Sequence, residues 1–245
     1  GIKITDNKLD GNGVGLSGIY ILSGGVNSVI AGNVVDDFST GIGVENSTDT
    51  GIFFNEVKNI IGDAIFLNNN THTLVYQNNI FNANNGVHVV GSTRTDVIEN
   101  TVHNTGTGIL AENDSIISIK RNEVYNSTSG IVVSDSDGSN IVDIEDNKVH
   151  DNIFGITVNN TDNVILNRNI YTDNGFFGEQ EEGGYGLGIF ASDNAVSTGE
   201  EFRGNILSIL LDNSQNTLIR EALVNVPDTR TGLFIRNGSG GTLVR

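Results

Sequence analysis

One tetrapeptide, Gly-φ-x-φ with φ apolar, returns at near-constant spacing along the whole chain, and a chain patterned in this way has few folds open to it. It stands as Gly18-Ile-Tyr-Ile, Gly41-Ile-Gly-Val, Ala64-Ile-Phe-Leu, Gly86-Val-His-Val, Gly108-Ile-Leu-Ala, Gly130-Ile-Val-Val and Gly155-Ile-Thr-Val, with weaker copies from Gly186, Ser208 and Gly232. Successive copies lie 23, 23, 22, 22, 22, 25, 31, 22 and 24 residues apart, so the modal unit is 22 residues. A second marker keeps step: Asn followed two residues later by an apolar residue, at Asn7, Asn33, Asn55, Asn78, Asn100, Asn122, Asn147 and Asn169. Apolar residues also stand three before each of these Asn residues, from Ile4 and Ile30 to Ile144 and Leu166. Two apolar residues spaced by one, three times per unit, give short strands of period 2. No stretch sustains a 3.6 period; residues 208–226 come nearest, and Ile209 and Leu211 still fit the repeat.

A unit this short cannot bury a face alone. Stacking solves the problem, because each strand pairs with its copy one coil away at about 4.8 Å. The expected fold is all-β: a parallel β-helix of about ten 22-residue coils, with residues 1–245 forming a single domain. Inward positions become apolar columns, as in Ile19, Ile42, Ile65, Val87, Ile109, Ile131 and Ile156. The Asn column is expected to be a ladder of stacked amides that satisfies the backbone of a buried turn. The Leu-x-x-Leu-x-Leu signature of a leucine-rich repeat and the nine-residue units of a calcium β-roll are absent.

Composition narrows the function. The chain has no Cys, so disulfides, zinc–cysteine sites and iron–sulfur clusters are excluded. Thirteen Lys and Arg stand against 30 Asp and Glu, a net charge of −17. That field repels nucleic acid and anionic membranes. No apolar run approaches the length of a membrane-spanning helix.

Gly-Ile-x-Val, a polar turn, a short strand, Asn-x-Val and a Gly return together resemble the right-handed parallel β-helix of the pectate-lyase-like superfamily, over essentially the whole chain. The likeness is closest to the carbohydrate-binding and sugar-hydrolase repeats of secreted and surface proteins. It implies an extracellular or cell-surface setting, a polysaccharide or cell-surface glycan as partner, and a substrate wall formed by the Gly-φ-x-φ strands. Fold alone does not imply activity.

The outward positions of that wall include His88 and an apolar stripe, Tyr20, Phe66, Leu110 and Val132, suited to a platform for sugar. One long insertion, residues 172–185, adds Phe176, Phe177 and Tyr185 beside Glu179, Glu181 and Glu182, and insertions on solenoids often sit on the binding face. Tyr20, Phe66, His88, Phe176, Phe177 and Tyr185 are therefore the carbohydrate-binding candidates. Asp63, His88 and Glu112 fall on consecutive coils and offer two carboxylates and an imidazole for acid–base work. Strand spacing sets Asp63 and Glu112 about 10 Å apart, at the margin of what a glycosidase pair needs. A second column, His103, Tyr125 and His150, carries the residue types that uronate epimerases and lyases of the resembled superfamily use. The epimerase Asp-Pro-His motif is absent, since Pro227 is the only proline.

No cofactor is required by the sequence. Asp135-Ser-Asp137-Gly-Ser-Asn140 resembles part of a calcium loop, which makes Asp135 and Asp137 the metal candidates, although its Gly arrives two positions early for an EF-hand. Asn-x-Ser/Thr acceptors at Asn46, Asn69, Asn113, Asn126, Asn159 and Asn237 mark either glycosylation or a second polar turn ladder. Both ends fall inside strands, so a cut from a longer rod or end-to-end self-association is expected. The leading expectation is an extracellular structural or recognition rod of a surface, adhesive or filamentous protein that binds carbohydrate on its first sheet. The alternative is a polysaccharide lyase, uronate epimerase or glycoside hydrolase.

Overall fold

The computed structural model describes all residues except 24, 137–140, 178–179, 182 and 226–229, and for 176–177 and 180–181 the backbone only. The chain winds as a parallel β-solenoid of three faces. The first carries the Gly-φ-x-φ strands, such as Ser129–Ser134 and Phe154–Asn159. The second is an 11-stranded sheet running from Lys3–Thr5 to Leu243–Val244. The third carries the Asn-x-φ strands, such as Glu123–Tyr125.

Three separate short strands per coil hold only in the later coils. In Lys8–Leu22, Val34–Glu45, Glu56–Asn68, Asn79–Val90 and Thr101–Glu112 the third and first faces form one continuous strand. In the last four the chain turns the corner at a single left-handed residue, Asp37 (φ 66°), Asn59 (φ 53°), Asn82 (φ 56°) and Asn104 (φ 56°), and in the first at the pair Asn12 (φ 50°) and Gly13 (φ 74°). Asn and Asp tolerate that conformation better than other side chains, so the strand runs on through the bend, although the register slips there between the first four of these strands.

Register follows the repeat. Ile19 pairs with Ile42, Ile42 with Ile65, Ile65 with Val87, Val87 with Ile109, and so on to Leu187 and Ile209. This column is buried throughout. The Asn ladder is present. Asn78 shows the pattern: its backbone N–H and its amide both donate to Asn100 Oδ1, at 2.9 and 3.0 Å, while the amide also donates to the Ile52 carbonyl at 2.9 Å. The rung after Asn169 is Glu200. Next to it in the core, Tyr171 and Phe202 stack at 4.5 Å with their planes 7° apart.

A second buried ladder lies at the turn after the first face. The backbone N–H of Ser47 donates to Asn70 Oδ1, that of Asn70 to Ser92 Oγ, and that of Ser92 to Asp114 Oδ1. Its rungs sit one residue beyond the sequon positions. Asn46, Asn69, Asn113 and Asn237 are instead exposed left-handed turn residues, with φ of 47°, 52°, 56° and 52°. That backbone requirement accounts for their recurrence without any appeal to glycosylation. The insertion at 172–185 contains a short antiparallel hairpin, Phe176–Phe177 with Gln180–Glu181.

Candidate functional site

Because side chains alternate across a strand, the first face presents columns whose members are set by register. Asp63 and Asn85 share one column; Tyr20, Gly43, Phe66, His88 and Leu110 the next; Leu22, Glu45, Asn68, Val90 and Glu112 the third. The centre of the face is an imidazole held between two carboxylates. His88 Nδ1 lies 3.2 Å from Asp63 Oδ2 and Nε2 lies 3.0 Å from Glu112 Oε2. Asn85 donates to the other oxygen of Asp63 at 2.8 Å. The Phe66 ring tilts against His88, with centroids 5.4 Å apart at 59°.

The electrostatics favour the protonated imidazole over the neutral one. Burial alone would lower His88, but the hydrogen bonds and charges of Asp63 and Glu112 more than reverse it and raise its pKa. Burial works against the Asp63 anion, yet the bonds from His88 and Asn85 hold its carboxyl below the ordinary value. The imidazole also redefines the carboxylate spacing. With one contact on each ring nitrogen, the contacting oxygens of the two carboxylates stand no more than about 8.4 Å apart, below the upper limit of roughly 9.5 Å for the pair in inverting glycosidases. The gap is not open to a water, because His88 fills it.

Tyr20 extends the face toward the first coil. Its ring lies over Gly43, where any Cβ would stand 2.3 Å from the ring. Its hydroxyl contacts Glu45, and that hydrogen bond, with burial and the carboxylate charge adding, pushes the phenol up to about 12. Asn68 donates to the other Glu45 oxygen at 3.2 Å. Tyr185 departs from the sequence expectation of an exposed sugar platform. It is only 7% exposed, its hydroxyl pairs with Thr157 Oγ1 at 2.9 Å, and its ring packs between Phe154 and Phe190 at 5.1 and 5.5 Å. With no Cβ at Gly188 to hold them off, the Tyr185 and Phe190 rings close over that residue and bury each other. The side chains of Phe176 and Phe177 lie outside the described residues.

The His103, Tyr125 and His150 column is on the third face, across the Asn82 and Asn104 corner. It forms a near-parallel stack that starts at Phe81: 5.1 Å to His103, 4.7 Å on to Tyr125 and 5.0 Å on to His150. Rings stacked along the rod turn their faces to one another and their edges to solvent, which does not suit stacking against sugar. Burial lowers His103. His150 is taken by Asp151 at 2.6 Å and by Glu123 at 3.3 Å. The structure therefore does not join this column to the Asp63–His88–Glu112 group.

Asp135 is a left-handed turn residue that accepts a hydrogen bond from Asn160 at 2.8 Å; Asp137 lies outside the described residues. Among the described residues no group of three or more His, Asp or Glu could hold a metal ion.

Two features escaped the sequence reading. Glu200 enters the Asn ladder 31 residues after Asn169, behind the insertion that breaks the period. Asp49, His72 and Arg94 form a polar row on the second face; their regular spacing of 23 and 22 residues is the signal that would have found it.

Comparison with known proteins places this geometry. Residues 85–245 match the family described as right handed beta helix region. Residues 1–105 match a family described as periplasmic copper-binding protein (NosD). The three histidines within that stretch, His72, His88 and His103, sit on three different faces, and the chain has neither Cys nor Met, so among the described residues no copper donor set converges there. No curated protein sequence matches. Among solved structures, the DFA-IIIase from Arthrobacter chlorophenolicus A6 in complex with GF2 superposes with a TM-score of 0.62 at 12% identity, covering 91% of this chain and 68% of that one. The periplasmic alginate epimerase AlgG gives 0.60 at 17% identity, covering 89% and 50%. The GH87 alpha-1,3-glucanase from Streptomyces thermodiastaticus strain HF3-3 gives 0.59 at 12%, covering 93% and 50%. The chain thus spans half the length of the last two, and at these identities the likeness is one of fold.

Proposed function

We propose that this chain, which belongs to the right-handed β-helix family, is a carbohydrate-recognition rod working outside the cytoplasm, in a surface or filament protein, and that its first face binds a neutral polysaccharide. The observation that carries the reading is the Asp63–His88–Glu112 bridge beside Phe66 on consecutive coils. Fixed carboxylates accept hydrogen bonds from sugar hydroxyls, and Phe66 and Tyr20 supply apolar surface for ring faces. Charge selects the class of glycan. Glu45, Asp63, Glu112 and Asp212 all lie on this face, where among the described residues His88 is held between Asp63 and Glu112 and Arg236 is paired with Asp212 at 2.7 Å. A uronate chain would meet this acidity with no unpaired cation among the described residues of the face to neutralise it. The similarity to the NosD description and to a periplasmic epimerase supports a setting outside the cytoplasm.

One observation favours a second, enzymatic reading: the His88 contacts bring Asp63 and Glu112 within the upper limit of roughly 9.5 Å for an inverting pair. In the resting arrangement, however, both carboxylates are engaged by His88, so hydrolysis would require the imidazole to leave the gap.

The test is a panel of neutral glucans and fructans against alginate and polygalacturonate. It measures retention of the protein by each polymer, release of reducing ends, and absorbance at 235 nm. Retention by a neutral polymer, weakened about tenfold or more in Phe66→Ala and His88→Gln, is the expected result. Turnover of any polymer would put the enzymatic reading first, and preference for a uronate polymer that Phe66→Ala and His88→Gln weaken would overturn the selectivity.

A further inference from the structure

The second face carries a groove of about 410 Å³ lined by His72, Thr73, Leu74, Arg94, Asp96 and Ile116. That is within the size range of small-molecule sites. Its wall is made by the backbone. Asp49, His72 and Arg94 occupy equivalent positions on three consecutive coils, each left-handed, with φ of 55°, 53° and 58°. The bend pushes these side chains out of the sheet plane as a raised row beside the Leu74 and Asp96 column. Ile116 follows Arg94 in the row and closes the groove at the next coil.

The row is also a relay that orients one cation. Arg94 Nη1 donates to His72 Nε2 at 2.8 Å, which requires that nitrogen to be unprotonated. The proton of the neutral ring is then on Nδ1, which faces Asp49 Oδ1 at 3.3 Å. Arg94 shares with Arg220 the lack of a carboxylate partner among the described residues, but Arg94 alone of the two is held by a histidine. Arg121, Arg168, Arg203 and Arg236 each pair with a carboxylate. Among the described residues Arg94 has no carboxylate within ion-pair distance, in a chain with 30 acidic residues. The neighbouring Lys120 is already taken by Asp143 at 2.5 Å and Glu145 at 2.9 Å.

We propose that this groove is a second ligand site, independent of the first face, which takes a small hydroxylated carboxylate such as a sugar acid. Arg94 receives the carboxylate, since a guanidinium with one nitrogen anchored still offers its remaining N–H groups in a planar fork. Leu74 and Ile116 form the aliphatic floor for the ligand's carbon skeleton. Asp96, on the adjacent column, accepts from a hydroxyl. The surrounding negative field penalises the bare anion, so a ligand must make all three contacts, and affinity in the millimolar range is expected.

The test is a titration of the intact chain with D-glucuronate and, as the neutral match, D-glucose, followed by NMR shifts of the His72 ring and of the backbone amides of residues 72–74, 94–96 and 116. Saturable shifts with glucuronate and none with glucose are expected. Arg94→Ala should weaken the response about tenfold or more, whereas Arg121→Ala, outside the groove, should leave it unchanged. Thermal melts of both variants verify that they fold. Equal response to the two sugars, no saturable response in the wild type, or unchanged binding in folded Arg94→Ala would each overturn the proposal. Failure here leaves the first-face reading untouched, because the two sites share no residue.

Discussion

Replacing Glu200 by Gln should remove most of the pH dependence that a single buried carboxyl imposes on this rod. Glu200 has no exposed surface and takes the ladder place after Asn169, whose backbone N–H donates to Oε2 at 3.1 Å and whose amide donates to Oε1 at 3.4 Å. Burial pushes its carboxyl up from 4.5 to about 8, and the hydrogen bonds from Asn169, with the Tyr171 hydroxyl nearby, pull it back only in part. Between those two values the folded state binds a proton that the unfolded state has released, so stability falls as pH rises. The contribution is fully present below the unfolded value and is lost as pH climbs through about 8. From pH 5 to pH 8 the loss is about 3–4 kcal/mol, at 1.36 kcal/mol per pKa unit. Gln keeps the chain length and an oxygen to accept from Asn169, but has no proton to lose. Urea unfolding of both proteins across that pH range checks the claim: the stability of the wild type relative to the variant should drop by about 3–4 kcal/mol. Asp114, also fully buried and raised to about 7, adds a slope of the same sign to both proteins and cancels in the difference. Parallel pH curves for the two proteins would refute the reasoning, since they would place an ionised Glu200 inside the fold.

Asn100→Ala deprives the Asn78 N–H and amide of their shared acceptor and the Val75 carbonyl of a donor; it should cost about 3 kcal/mol or more in urea unfolding, whereas a loss below about 1 kcal/mol would make the ladder a passive feature. Phe202→Ala removes the ring stacked on Tyr171 in a fully buried site and should destabilise by about 3–5 kcal/mol, read as a lower urea midpoint. In an NMR pH titration His88 should have a midpoint above 6.5, and Asp63→Asn with Glu112→Gln should bring it below, where burial alone would put it. The stability gained from the His88 bridge is present below the unfolded value and is lost as pH rises through the folded one.

The repeat made most of the fold legible. The Ile19 to Ile156 column and the Asn ladder recur at one residue each per coil, and a recurring residue in a stacked fold has to be a column. Where the period breaks, legibility stops: the insertion at 172–185 hid Glu200, because a Glu in an Asn column is visible only once the strands are in register. The candidate site was half legible. Sequence spacing placed Asp63, His88 and Glu112 on consecutive coils, but strand spacing alone set the two carboxylates about 10 Å apart. The imidazole between them reaches across both gaps, and only side-chain geometry shows that. Tyr185 failed for the converse reason. Its outward position was readable, yet its burial depends on Phe154 and Phe190 closing over Gly188. The sequons looked like chemistry, and the left-handed backbone at Asn46, Asn69, Asn113 and Asn237 is the simpler cause.

The chain's four histidines report separately on its faces: His88 on the first, His72 on the second, and His103 and His150 on the third. Their ring signals, followed by NMR while an oligosaccharide of the best-retained neutral polymer is added, test directly where carbohydrate binds. Binding on the first face predicts a saturable shift at His88 with His72, His103 and His150 unmoved. A shift confined to His103 and His150, or a polymer that is retained while His88 stays still, would contradict it.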